Sequence, residues 1–161
     1  MKLITKTEFL SRVKVVNYKQ SRGHDAPSYE WDIKFDNKKV CNCWDDSYGG
    51  ELNVTNYDNH SIEEIYKTIE PKSLWDEEYQ WTTSLELLMS DCATIHINQL
   101  EEKKGVLVGT KSKYMIHGYN KSIPFLIKRG NAYWIQEIIN GISDKSTILN
   151  KDYLLNLKFT I

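Results

Sequence analysis

The sequence predicts a single α+β domain over residues 1–161: an antiparallel sheet, with an N-terminal meander plus later strands, packed with several short helices. Three observations predict it. Residues 29–36 alternate Tyr29, Trp31, Ile33 and Phe35 with Glu30, Asp32, Lys34 and Asp36, the period of a strand with one buried and one wet face. Ser61-Ile62-Glu63-Glu64 and Thr83-Ser84-Leu85-Glu86 are capping boxes, each ahead of apolar residues at helical spacing. A chain of 161 residues, 40% of them hydrophobic, also supplies a core without disulfide staples, and no repeat or linker parts it.

Thr7 is the expected cap of a short first helix, with Phe9, Leu10 and Val13 on one face. Residues 17–28 are polar and predict a loop closing around Pro27. After the strand at 29–36, a turn at 36–39 returns the chain from Val40 to Asp45. Two registers satisfy this hairpin. A two-residue loop puts Val40 and Trp44 on the apolar face; a three-residue loop puts Cys41 and Cys43 there. A turn at 45–50 and a strand at 51–57 complete the meander.

Ile62, Ile65, Tyr66 and Ile69 then line a helix that Pro71 stops. Beyond Met89 two periods compete: Ala93, Ile95 and Ile97 alternate as in a strand, while Leu88, Cys92 and Ile95 fit a helix. Val106 begins a strand running towards Ile116. Ser122-Ile123-Pro124 opens a helix that breaks at Gly130-Asn131 and resumes through Ile139 to Gly141. Leu155, Leu157, Phe159 and Ile161 alternate as a terminal strand would.

Three cysteines, Cys41, Cys43 and Cys92, form no disulfide framework and point to free thiols in the cytoplasm. No run approaches the roughly 18–20 apolar residues of a membrane helix, and the first residues lack the apolar stretch of a signal peptide. Lysine outnumbers arginine 18 to 3, and Asn, Ile and Tyr abound, the usage of AT-rich coding such as low-GC bacteria and their phages carry.

The net charge of −1 is unevenly spread. Residues 1–29 carry six Lys/Arg against two acids, residues 30–102 five against 17, and residues 103–136 seven against none. Such blocks mark binding surfaces unless they neutralise one another in the fold.

The motifs of common chemistries fail on spacing. Cys41-Asn42-Cys43 with His60 lacks the second ligand pair of a structural zinc site, and residues 45–51 miss the calcium-loop pattern. No nucleophile elbow surrounds a serine, and the glycines form no phosphate loop. The catalytic candidates that remain are His24 and Asp25, in a loop beside Arg22, and Asp32, whose Asp32-Ile33-Lys34 spacing is that of a metal-dependent nuclease. No cofactor or metal is expected.

Two segments suit binding. Trp75, Asp76, Glu77, Glu78, Tyr79 and Trp81 interleave aromatics with acids, as a surface for a basic protein partner requires; the competing expectation is a short helix that buries the aromatics. Lys111, Lys113, Tyr114, Tyr119 and Lys121, within residues 103–129, interleave cations with aromatics, as nucleic-acid stacking platforms do. The sequence therefore predicts a small non-catalytic accessory or inhibitor-type protein that binds another protein. A nucleic-acid binder is the alternative, then a small hydrolase or nuclease.

Overall fold

The computed structural model describes residues 2–22, 26–46, 51–58 and 60–161. Its four-stranded antiparallel sheet, two small two-stranded sheets and six helices make an α+β fold among the described residues. The elements group into two compact units, residues 1–96 and 97–161. The change of unit falls inside one helix, α3 (Leu85–Glu102), so no linker composition marks it.

In the first unit, α1 (Lys6–Arg12) precedes a meander in the order β1 (Val13–Ser21), β2 (Ser28–Phe35), β3 (Lys38–Asp45) and β4 (Asn53–Asn56). The helix is capped by Thr5, whose hydroxyl accepts from the Glu8 amide at 3.0 Å, and not by Thr7. Val13 leaves the helix for β1. Residues 17–21, expected as loop, extend that strand; β1 pairs only with β2, and an edge strand tolerates polar residues.

The β2–β3 hairpin combines features of both expected registers. Asp36 and Asn37, at φ 49° and 66°, form a two-residue turn of the kind that matches strand twist. A bulge then places Val40 between the pairs Lys34–Lys39 and Ile33–Cys41. Val40, Cys41 and Cys43 all become buried, while Trp44 faces outward. Ile33, Trp31, Phe9, Ile62, Leu88 and Met89 complete this core with the thiols. Burial pushes Cys92 up to about 12, and a hydrogen bond with Cys41 together with burial raises Cys43, so both thiols stay protonated.

After α2 (Ile62–Tyr66), capped by Ser61 as expected, a 3₁₀ turn at Pro71–Leu74 leads into a minute hairpin, β5 (Trp75–Asp76) with β6 (Trp81–Thr82). Ser84 caps α3 through the Leu87 amide, and the helical period prevails through residues 92–97.

The second unit follows α3 with the hairpin β7 (Gly105–Thr110) and β8 (Lys113–Gly118), which replaces the expected single strand by turning at Lys111-Ser112. Gly105 and Gly118 face one another so closely that a Cβ on either would lie within 2.4 Å of a carbonyl oxygen opposite. Ser122 caps α4 (Ile123–Lys128), and α5 (Tyr133–Gly141) follows the break at Gly130. The terminal strand expected over residues 155–161 does not form: α6 (Lys151–Asn156) takes in the first two of those residues and a turn follows. Its end closes with Lys158 at φ 72° and bonds from Lys158 N to Leu155 O and from Phe159 N to Leu154 O, a Schellman turn. That turn buries Leu154 and Phe159 together and leaves Leu155 exposed, which period-two alternation could not anticipate. Val106, Ile123, Leu126, Ile135, Ile139 and Ile148 form the rest of this second core. Among the described residues no helix is long and apolar enough to cross a membrane.

Candidate functional site

The acidic-aromatic segment stands out from the first unit as a hairpin, not as the buried helix that was the competing expectation. Leu74 and Thr83, at its base, are buried. Tyr79 is 58% exposed, Trp81 50% and Trp75 47%, and these fractions decide against a core role. The register pairs Trp75 with Thr82 and Asp76 with Trp81. Directly paired residues share a face, so Trp81 lies with Asp76 on one side and Trp75 on the other. Tyr79 stacks on Trp81, ring centroids 5.2 Å apart and planes at 15°. The structure thus gathers Asp76, Tyr79 and Trp81 and separates Trp75 from them.

The hairpin is held in place by its own bonds. Asp76 accepts from the Tyr79 amide at 3.0 Å through its carboxylate and from the Gln80 amide at 2.8 Å through its carbonyl. Gln80, at φ 58°, makes the turn and donates its side-chain amide to Glu77 O. At the base, Thr83 N donates to Leu74 O, and the Tyr66 hydroxyl donates to Thr83 O at 2.6 Å. A surface ordered before binding loses less entropy when a partner arrives. Asp76, Glu77 and Glu78 lie on the hairpin itself, so three carboxylates accompany the aromatics.

Asp32 was expected on the wet face of its strand. It is buried, because Asn17, Asn42, Tyr57 and Lys39 close over it. Oδ1 accepts from Tyr57 Oη at 2.6 Å and Asn42 Nδ2 at 3.1 Å; Oδ2 accepts from Asn17 Nδ2 at 2.7 Å and Lys39 Nζ at 3.2 Å. Burial alone would raise this carboxyl, but the four donors outweigh it and hold Asp32 well below the usual carboxylate range. The same contact pushes the Tyr57 hydroxyl up to about 12. Four donors occupy the lone-pair positions of both oxygens, which leaves little capacity to accept a substrate proton or ligate an ion. None of these partners was predicted: Asn17 reaches Asp32 from a strand bulge at φ 54°, and Tyr57 from beyond the end of β4.

His24 and Asp25 lie outside the described residues. Among the described residues no group of three or more His, Cys, Asp or Glu side chains converges as a metal site would need.

In the second unit the predicted basic-aromatic set divides. The Tyr114 hydroxyl donates to the Glu101 carboxylate. Lys111 and Tyr114 line a cleft of about 370 Å³ that they share with Glu102. Tyr119 and Lys121 instead line a second cleft, of about 440 Å³, with Lys104, Asn120 and Ser122. Aromatic neighbours that the sequence reading missed surround Tyr119: Trp134 at 5.1 Å, and Tyr133 against Trp134 at 5.6 Å. Trp134 packs, partly buried, on the apolar face of α5, and helical spacing does not tell which flank of that face meets a loop.

No protein-family model, curated protein or solved structure matches this chain.

The charge blocks resolve by unit. The first contains eleven Lys/Arg and 17 acids, the second ten and five. Among the described residues the ion pairs lie in the first unit, where Lys6, Arg12 and Lys19 of the N-terminal basic block meet Asp91, Asp36 and Glu30. Three of the six cations of the N-terminal block are therefore paired locally. The seven cations of residues 103–136 have no carboxylate partner among the described residues.

Proposed function

We propose that this chain is a non-catalytic protein-binding factor that docks a basic protein partner through the β5–β6 hairpin. The observation that carries the reading is the stacked Tyr79–Trp81 pair, half or more exposed on a hydrogen-bonded hairpin and flanked by Asp76, Glu77 and Glu78. Large aromatics supply most of the energy in such interfaces, and surrounding charge steers encounter and rejects partners of the wrong sign. A saturated Asp32 and protonated, buried Cys43 and Cys92 favour this reading over hydrolysis or nuclease chemistry.

The test is capture of a partner from extract, followed by binding measurements with the purified pair. Trp81→Ala is expected to weaken binding by about 2 kcal/mol or more, the range of an aromatic hot spot. Glu77→Lys with Glu78→Lys is expected to slow association and to reduce its salt dependence. A stoichiometric partner held equally by both variants, or no partner at all, would overturn the assignment.

A further inference from the structure

We propose that the Tyr119–Arg129 face of the second unit binds single-stranded nucleic acid, independently of the hairpin reading above. Three features converge there. Residues 103–136 carry seven Lys/Arg and no acid, so the local field attracts polyanions. The cleft beside Tyr119 is flanked by Lys104 and Lys121, and its volume lies within the roughly 300–1,000 Å³ of small-ligand sites. And exposed ring faces stand beside the cations.

Of the rings, Tyr119 lines the cleft, and the others reach it through pairwise contacts. Tyr119 is braced from behind by Trp134, which in turn meets Tyr133. Lys121 lines the cleft with Tyr119 and also places its ammonium 5.3 Å from the Phe125 ring centroid. The Arg129 guanidinium lies 5.3 Å from the same ring. Tyr119, Phe125 and Tyr133 are all exposed, and aromatics and cations alternate along the run of contacts from Tyr133 through Trp134, Tyr119 and Lys121 to Phe125 and Arg129. That alternation is what an unpaired strand needs: every base offers a π-face to an aromatic, and each phosphate an anion to a cation. A duplex hides its base faces, and an acidic protein offers no repeated planar groups. Glu101 and Glu102 lie instead with Tyr114 and Lys111, which sets that end of the β7–β8 hairpin apart from the proposed face.

The experiment is fluorescence anisotropy of the full chain with a labelled oligothymidylate of about 12 nucleotides, inside the usual site size. Duplex DNA and phosphatidylserine vesicles serve as competing polyanions. Oligothymidylate binding is expected, with a log K against log salt slope of about −2 for three neutralised phosphates. Tyr119→Ala is expected to weaken it by roughly 5- to 150-fold, the worth of one base–aromatic stack. Lys121→Glu, at an exposed side chain, keeps the test open if the tyrosine variant unfolds; it is expected to weaken binding and flatten the salt slope. Lys151→Glu, at an exposed position outside residues 103–136, is expected to leave the affinity within about twofold. Absence of oligothymidylate binding at low salt, equal or tighter binding of duplex, retention only on vesicles, or equal loss on Lys151→Glu and Lys121→Glu would each overturn the proposal.

Discussion

The two units of this chain solve one problem, burying a polar group at a junction of backbone elements, with opposite chemistry. In the first, the group is ionised: Asp32 gathers two amides, a hydroxyl and an ammonium over the meander. In the second it is neutral. Asn150, buried at the start of α6, accepts from Leu107 N at 3.1 Å and donates to Glu102 O and Gly105 O at 3.2 and 2.9 Å. A carboxylate organises several side chains but ties their packing to its charge, whereas an amide stitches backbone to backbone at any ordinary pH.

The largest expected effect breaks the charged junction. Asp32→Ala leaves Lys39, Tyr57, Asn17 and Asn42 without their acceptor and is expected to cost about 3–5 kcal/mol, read by urea unfolding of β1–β4. The pH dependence sharpens the contrast. Asp32 titrates lower in the fold than in the unfolded chain, near 3.8, so its stabilisation is complete above that value and fades as pH falls towards the folded pKa. Tyr57 is the mirror case: its folded pKa near 12 exceeds its ordinary 10, so its contribution holds below 10 and is lost as pH rises through 12. Amide exchange below pH 4 is expected to show β1–β4 losing protection more steeply than in Asp32→Asn. A Tyr57→Phe variant should lose part of the alkaline fall.

Asn150→Ala tests the neutral junction. It strands one amide and two carbonyls of the second unit, for an expected cost of about 2–3 kcal/mol with little change between pH 3 and 7. A comparable acid dependence of this variant's stability difference would contradict the neutral character of the Asn150 junction. A smaller loss, about 1–3 kcal/mol, is expected from Gly118→Ala, whose Cβ would lie 2.4 Å from Lys104 O; thermal unfolding checks it. The smallest is the cap: Thr5→Ala should cost about 1 kcal/mol, seen in exchange of the α1 amides.

The contrast also shows what periodicity carries. The strand at 29–36, the capped helix after Ser61 and the helices from Ser122 to Gly141 were legible because residues close in sequence dictate them. The terminal strand was not: Leu155, Leu157 and Phe159 alternate, but a left-handed Lys158 satisfies the helix end and folds Phe159 back onto Leu154. The hairpin register turned on a single bulge at Val40, and one residue of offset brings both cysteines inward. Of the predicted binding residues, Asp76, Tyr79 and Trp81 were found together, and Tyr119 with Lys121; Trp75 and Tyr114 were parted from them by strand alternation and by Glu101.

By itself the sequence determined the α+β class, most of the capped helices, the meander, and the separation of acidic from basic chain, because each depends on local spacing or simple composition. Tertiary structure alone decided that Asp32 is a buried clamp and not a wet-face acid, since its donors come from positions 17, 39, 42 and 57. It alone decided that Lys6, Arg12 and Lys19 enter ion pairs while, among the described residues, the cations of residues 103–136 do not. And it alone kept Tyr79 and Trp81 out of a core, because two residues of strand pairing and an Asp76-anchored turn hold them outward where a helix would have turned them in.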